Sequence, residues 1–130
     1  MLQVGHIDHL NLKVSQLDKS IEFYKKLFDD FQIFEEGVSH GNRYVILGVT
    51  NKLYLCLYES LSNNKGNEQV LNHMGIHVVN FEELKKLVKN KEIEALYGGV
   101  IDYPHSQSIY VKDPDGNEIE FSSSFGGGLN

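Results

Sequence analysis

The chain has 130 residues, a formal charge of −6, and 41% hydrophobic against 23% charged residues, a balance that suits one soluble globular domain with a core of its own. It carries neither an apolar run of about 18 residues nor a basic, apolar leader, so no membrane span and a cytoplasmic location are expected. The lone cysteine, Cys56, excludes an internal disulfide, and the 12 scattered basic residues include one arginine, Arg43, so nucleic acid is not an expected partner.

Residues 6–14 alternate, with Leu10, Leu12 and Val14 on one face and His9, Asn11 and Lys13 on the other. That period of two predicts a strand, wet on the face that carries His9. Ser15 followed by Asp18 reads as a capping box, and Leu17, Ile21, Tyr24, Leu27 and Phe28 then recur at helical spacing, which predicts a helix over 16–28. Strands are expected at 31–37, 42–49 and 53–58, the last two joined as a hairpin near Thr50, Asn51 and Lys52. The polar stretch SLSNNKGNEQ, residues 60–69, has the composition of a linker.

The same order then returns. A strand at 73–79 precedes Asn80 and Glu83, plausible caps for a helix carrying Phe81, Leu84, Leu87 and Val88. A short strand near 93–97 leads through Gly98 and Gly99 into an irregular segment, followed by strands at 107–112 and 117–123. Asp113, Pro114, Asp115 and Gly116 between those strands fit a type I turn, since proline presets φ at the second position and glycine suits the fourth. They do not form a calcium loop, which needs glycine at its sixth place and glutamate at its twelfth. The tail from Phe125 is glycine-rich.

His9-Leu10-Asn11-Leu12-Lys13-Val14 recurs 64 residues further on as His73-Met74-Gly75-Ile76-His77-Val78, and the same shift carries Cys56 onto Glu120. The expected fold is therefore α+β: two βαβββ repeats, about 5–59 and 70–124, forming a cupped mixed sheet with helices on the outer face in a single domain of residues 1–130. His9, His73 and Glu120 all fall on the polar parity of their strands. Two imidazoles and one carboxylate suit a divalent first-row ion and leave positions open for water or substrate.

His77 shares the parity of His73 and is a candidate acid or base, and Tyr110, in the strand expected to pair with that of Glu120, is the candidate to offer its hydroxyl to a substrate. Asn11, Tyr44, Tyr54, Tyr58, Ser108 and Lys112 have the same parity, while His6, His40 and His105 are further histidines without a role in the pattern. Cys56 reads as a small buried hydrophobe more readily than as a soft ligand.

The phrases HLNLKVSQLDKSIEFYKKLF from residue 9, HMGIHV from 73 and SIYVKDPDGNEIEF from 108 make the chain resemble the vicinal oxygen chelate superfamily, which includes glyoxalase I, extradiol dioxygenases and the fosfomycin- and bleomycin-resistance proteins. The resemblance covers nearly the whole chain. It implies that His9, His73 and Glu120 are the metal ligands, with Glu120 also catalytic, and that the ion is Zn, Mn, Ni, Co or Fe(II). It further implies a homodimer, and a small-molecule substrate bound through vicinal oxygens for lyase, transferase or dioxygenase chemistry. Cys56 stands where glyoxalase I would have a glutamate, and the chain ends SSSFGGGLN where fosfomycin-resistance proteins place cations for a phosphonate. The alternative implied by the resemblance is a small-molecule binding protein of the bleomycin-resistance kind, without turnover.

Overall fold

The computed structural model describes residues 1, 3, 5, 7, 9–60 and 71–124. His6, most of the linker and the tail from Phe125 lie outside the described residues. The chain forms two compact units, Met1–Lys65 and Gly66–Asn130.

In the first unit β1 (Leu10–Val14) leads into helix α1 (Leu17–Leu27), then β2 (Gln32–Ser39), β3 (Asn42–Val49) and β4 (Leu53–Glu59). The sheet order is β1-β4-β3-β2, with β1 parallel to β4 and the other pairs antiparallel. Alternation does its expected work here: Leu12, Val14, Val45, Leu47, Leu55 and Leu57 are buried, as are Leu17 and Tyr24 of α1, which packs on β3 and β4. The helix does not begin with the predicted capping box. Its N-cap is Gln16, whose side chain makes no capping bond, and the amide of Leu17 donates instead to Glu59 Oε2 at 2.8 Å. A carboxylate from the end of β4 thus satisfies an orphan helix amide and sits at the positive end of the helix dipole.

The second unit repeats the plan as β5 (Met74–His77), α2 (Phe81–Lys89), β6 (Ile101–Tyr103), β7 (Ser106–Lys112) and β8 (Glu118–Ser122), with sheet order β5-β8-β7-β6. Leu10 and Met74, Leu17 and Phe81, and Asn42 and Ser106 begin corresponding elements at the same 64-residue shift. The fold is thus α+β, with two helices and two four-stranded mixed sheets among the described residues. Met74, Ile109, Val111, Ile119 and Phe121 form the buried side of the second sheet, and Phe81 and Leu84 are the buried positions of α2. The N-cap of α2 is Asn80, as expected, although its side chain makes no capping bond.

The strand expected near 93–97 is absent, and β6 lies instead within the segment expected to be irregular. Tyr97, Gly98 and Gly99 have φ of 56°, 80° and 102°, a left-handed run that no strand accommodates. One ladder-like bond survives there, from Leu96 N–H to Tyr110 O at 2.8 Å.

The turn before β8 is built as its sequence predicts. Gly116 N–H donates to Asp113 O at 3.0 Å, and Asp113 Oδ1 accepts the amides of Asp115 and Asn117 at 2.9 and 2.8 Å. This carboxylate fixes the register that pairs Tyr110 with Glu120.

Gly48 is the most crowded of the described glycines. It has φ of 154°, and a Cβ added there would lie 1.9 Å from Leu53 O. Gly48→Ala therefore forces the β3–β4 ladder apart and should lower unfolding free energy by about 3 kcal/mol in urea titrations. Gly75→Ala, with nothing within 4 Å of the added carbon, should change it by less than about 1 kcal/mol.

Candidate metal centre

β5 runs parallel to β8 with Gly75 opposite Glu120, and β7 runs antiparallel to β8 with Tyr110 opposite Glu120 on its other side. His73, two residues ahead of Gly75, shares its parity, so imidazole and carboxylate emerge on one face. His73 Nε2 lies 3.1 Å from Glu120 Oε1, with the side chains 35% and 18% exposed. The other carboxylate oxygen, Oε2, accepts from Ser108 Oγ at 2.7 Å, and Ser108 is fully buried. His73 Nδ1 is 2.7 Å from Asn72 Oδ1. An amide oxygen only accepts, so Nδ1–H donates to it, and Nε2 is the ring nitrogen turned to Glu120.

These donors fit a divalent ion. An imidazole nitrogen and a carboxylate oxygen 3.1 Å apart stand at the spacing of neighbouring ligands whose bonds to one first-row metal are about 2.1 Å long. Each is also oriented by a second group, Asn72 or Ser108, as metal ligands are. Within the second unit, among the described residues, no further His, Cys, Asp or Glu joins the pair. His9 belongs to the first unit, where it is exposed and directly precedes β1 as His73 directly precedes β5.

Tyr110 is buried beside this pair, its ring 5.8 Å from that of His73 and perpendicular to it, and its hydroxyl 2.9 Å from Tyr103 Oη. Burial first, then hydrogen bonding to Tyr103 and Glu120 and the negative charge of Glu120, push the phenol far above the ordinary tyrosine value. Tyr110 therefore holds its proton more tightly than an ordinary tyrosine.

Tyr97 lies 5.5 Å from Tyr110, ring to ring at 77°, and its hydroxyl donates to Glu118 Oε1 at 2.7 Å, which raises its own pKa. Its left-handed backbone carries strain of about 1–2 kcal/mol.

Other candidates fall elsewhere. His77 is exposed opposite Ser122 and lines a shallow cavity of about 650 Å³ with Val79, Asn80, Phe81 and Lys86, beside the start of α2. Cys56 is buried opposite Ile46, and burial, then the charge of Glu35, push its thiol up, which suits a packed hydrophobe and not a nucleophile. Tyr44, the counterpart of Ser108, donates to Glu35 Oε2 at 2.8 Å and stacks on Tyr58, so the equivalent face of the first sheet is aromatic. Arg43 is engaged by Asp18 at 2.9 Å and holds that carboxyl below its usual range.

Sequence reasoning missed Asn72, Tyr97 and Tyr103. Only Asn72 left a signal, an amide adjacent to a candidate ligand.

Residues 6–121 match the profile of the Glyoxalase/Bleomycin resistance protein/Dioxygenase superfamily, and the chain belongs to it. It is similar to the metallothiol transferase FosB of Staphylococcus saprophyticus subsp. saprophyticus, 32% identical over 120 residues that cover 90% of this chain and 76% of that protein. It is equally similar to a probable trivalent organoarsenical cleaving enzyme of Bacillus subtilis, 32% identical over 119 residues that cover 87% of this chain and 76% of the other. The crystal structure of the fosfomycin resistance protein FosX from Listeria monocytogenes, complexed with Mn(II) and sulfate, shares the fold with a TM-score of 0.69 over 94% of each chain at 19% identity.

Alkaline titration checks the environment of Tyr110. Its proton is held more tightly in the folded than in the unfolded chain. The stability it contributes is thus complete below about pH 10, the unfolded value, and is lost as pH rises toward the folded one. Tyr110→Phe should remove a phenolate absorbance step lying above the ordinary value and flatten the fall in stability above about pH 10.

Proposed function

We propose that this chain is a metal-dependent enzyme in which His9, His73 and Glu120 hold a divalent ion and a small substrate binds to it through neighbouring oxygens. The observation that carries the reading is the oriented His73–Glu120 pair, with donor atoms 3.1 Å apart and each partner braced by Asn72 or Ser108. The structure of FosX, which shares the fold, is complexed with Mn(II), and this supports a divalent ion here. The ion would supply Lewis acidity to the substrate oxygens.

The protein's own residues do the rest. Ser108 occupies Oε2 of Glu120 and leaves Oε1 for the ion. Tyr110 keeps its proton beside the donors, so it donates a hydrogen bond to developing negative charge, and His77 is the candidate for a more distant proton exchange. Zn, Mn, Ni, Co and Fe(II) all suit the ligand set. In this reading the two units form one domain, and the protein works as a cytoplasmic homodimer.

The charge of the site argues against a phosphonate substrate. Lys112 is the one cationic side chain other than histidine on β7 and β8, and the sole arginine is paired with Asp18. An uncharged or singly charged substrate of lyase, transferase or dioxygenase chemistry fits better than a phosphonate dianion. Fosfomycin should therefore be turned over with a thiol far more slowly than a hemithioacetal or a catechol is converted, in assays across Mn, Zn, Ni, Co and Fe(II).

Elemental analysis of purified protein tests the ion directly. Wild type should hold about one divalent ion per chain, and His9→Ala, His73→Ala and Glu120→Ala should each lose it. Stoichiometric metal retained in both His9→Ala and Glu120→Ala removes the assignment. Asn72→Ala should weaken metal affinity by about 10–100-fold without abolishing it.

A further inference from the structure

Tyr97 holds a backbone conformation that bulky residues rarely adopt, at φ 56°, directly ahead of Gly98 and Gly99. Glycine or asparagine would meet less strain there. A buried ring offsets such strain with the apolar area it hides, but Tyr97 is 65% exposed and hides little. Its contacts with the ring of Tyr110 and the carboxylate of Glu118 fix the direction of the ring without covering it. The Leu96 amide, bonded to Tyr110 O, and the Gly99 amide, bonded to Leu96 O at 3.1 Å, hold the segment against β7. The outcome is an aromatic face presented to solvent one ring away from the His73–Glu120 pair. Strain kept where packing does not require it points to a ligand.

We propose that Tyr97 is a specificity-determining residue that takes the planar aromatic part of the substrate against its open face, while the metal site takes the substrate's oxygens. The second half of that sentence rests on the proposed metal site, and the ring contact does not. Aromatic pairs gain attraction beyond the area they bury, so this residue selects a ring over an alkyl group of similar size.

The test uses Tyr97→Gly and Tyr97→Phe in the full chain. Metal-free Tyr97→Gly should melt within about 2 °C of wild type or above it, because the strain goes with the ring. Loaded with Mn(II), it should hold as much metal as wild type but bind catechol about tenfold more weakly, with lactate affinity unchanged. Tyr97→Phe, which keeps the ring and its contact with Tyr110 but loses the bond to Glu118, should bind lactate as wild type does and catechol more tightly than Tyr97→Gly does.

A fall of more than about 5 °C in Tyr97→Gly makes the residue structural and overturns the proposal. So does an equal loss of catechol and lactate affinity, an unchanged catechol affinity, or a wild type that binds no aromatic probe. If wild type takes up none of Mn(II), Zn, Ni, Co or Fe(II), the metal reading fails on that measurement alone. Phenol binding to metal-free protein then decides Tyr97: about tenfold weaker in Tyr97→Gly supports the proposal, and equal affinity overturns it.

Discussion

Glu120 meets His73 because β5 lies parallel to β8 with Gly75 opposite the glutamate, and because His73 shares the parity of that glycine. A slip of one residue in this pairing would turn the imidazole to the other face and break the pair. Much of the second unit serves that register. Asp113 gathers the amides of Asp115 and Asn117 and sets the β7–β8 hairpin, which in turn puts Tyr110 opposite Glu120 and Ser108 within reach of its second oxygen. Ile109, Val111, Ile119 and Phe121, on the reverse parity, lock the same choice by burying the other face.

The two units share one topology but not one chemistry. At the position of Glu120 the first unit has Cys56, a buried thiol held protonated by its surroundings, and at the position of Ser108 it has Tyr44. The stacked Tyr44–Tyr58 pair and the perpendicular Phe34–Tyr54 pair give that sheet an aromatic surface where the second carries a carboxylate and hydroxyls. The histidine position recurs in both copies as His9 and His73, while the carboxylate is present only in the second.

The elements most plainly written in the sequence are those set by local periodicity. Alternation at 10–14, 42–49 and 118–122 and helical spacing at 17–27 each correspond to an observed element, because one face of each is buried against apolar neighbours. The segment 93–103 was illegible for a physical reason. Its path is decided by three consecutive left-handed residues, one of them a tyrosine, and no propensity scale expects Tyr97 at φ 56°. The start of α1 was misread because its amide is satisfied by Glu59, 42 residues away in sequence, a partner that no local motif encodes. In the site, residue type and parity pointed to His73, Glu120 and Tyr110. The bracing by Asn72, Ser108 and Tyr103 came only with the geometry, since it depends on which side chains lean toward one another across strands.

The parallel pairs carry a consequence for the order in which the chain assembles. Leu10 must find Leu55, and Met74 must find Ile119, so each first strand docks only after a loop of about 45 residues has closed around its own helix and hairpins. The β3–β4 and β7–β8 hairpins join neighbours in sequence and form by local search, whereas β1 and β5 arrive late. The carboxylate is thus in place on its hairpin before the histidine reaches it. On the proposed metal reading, an ion that needs both would bind tightly only to chains whose last strand has docked, and nascent or misregistered molecules would go without.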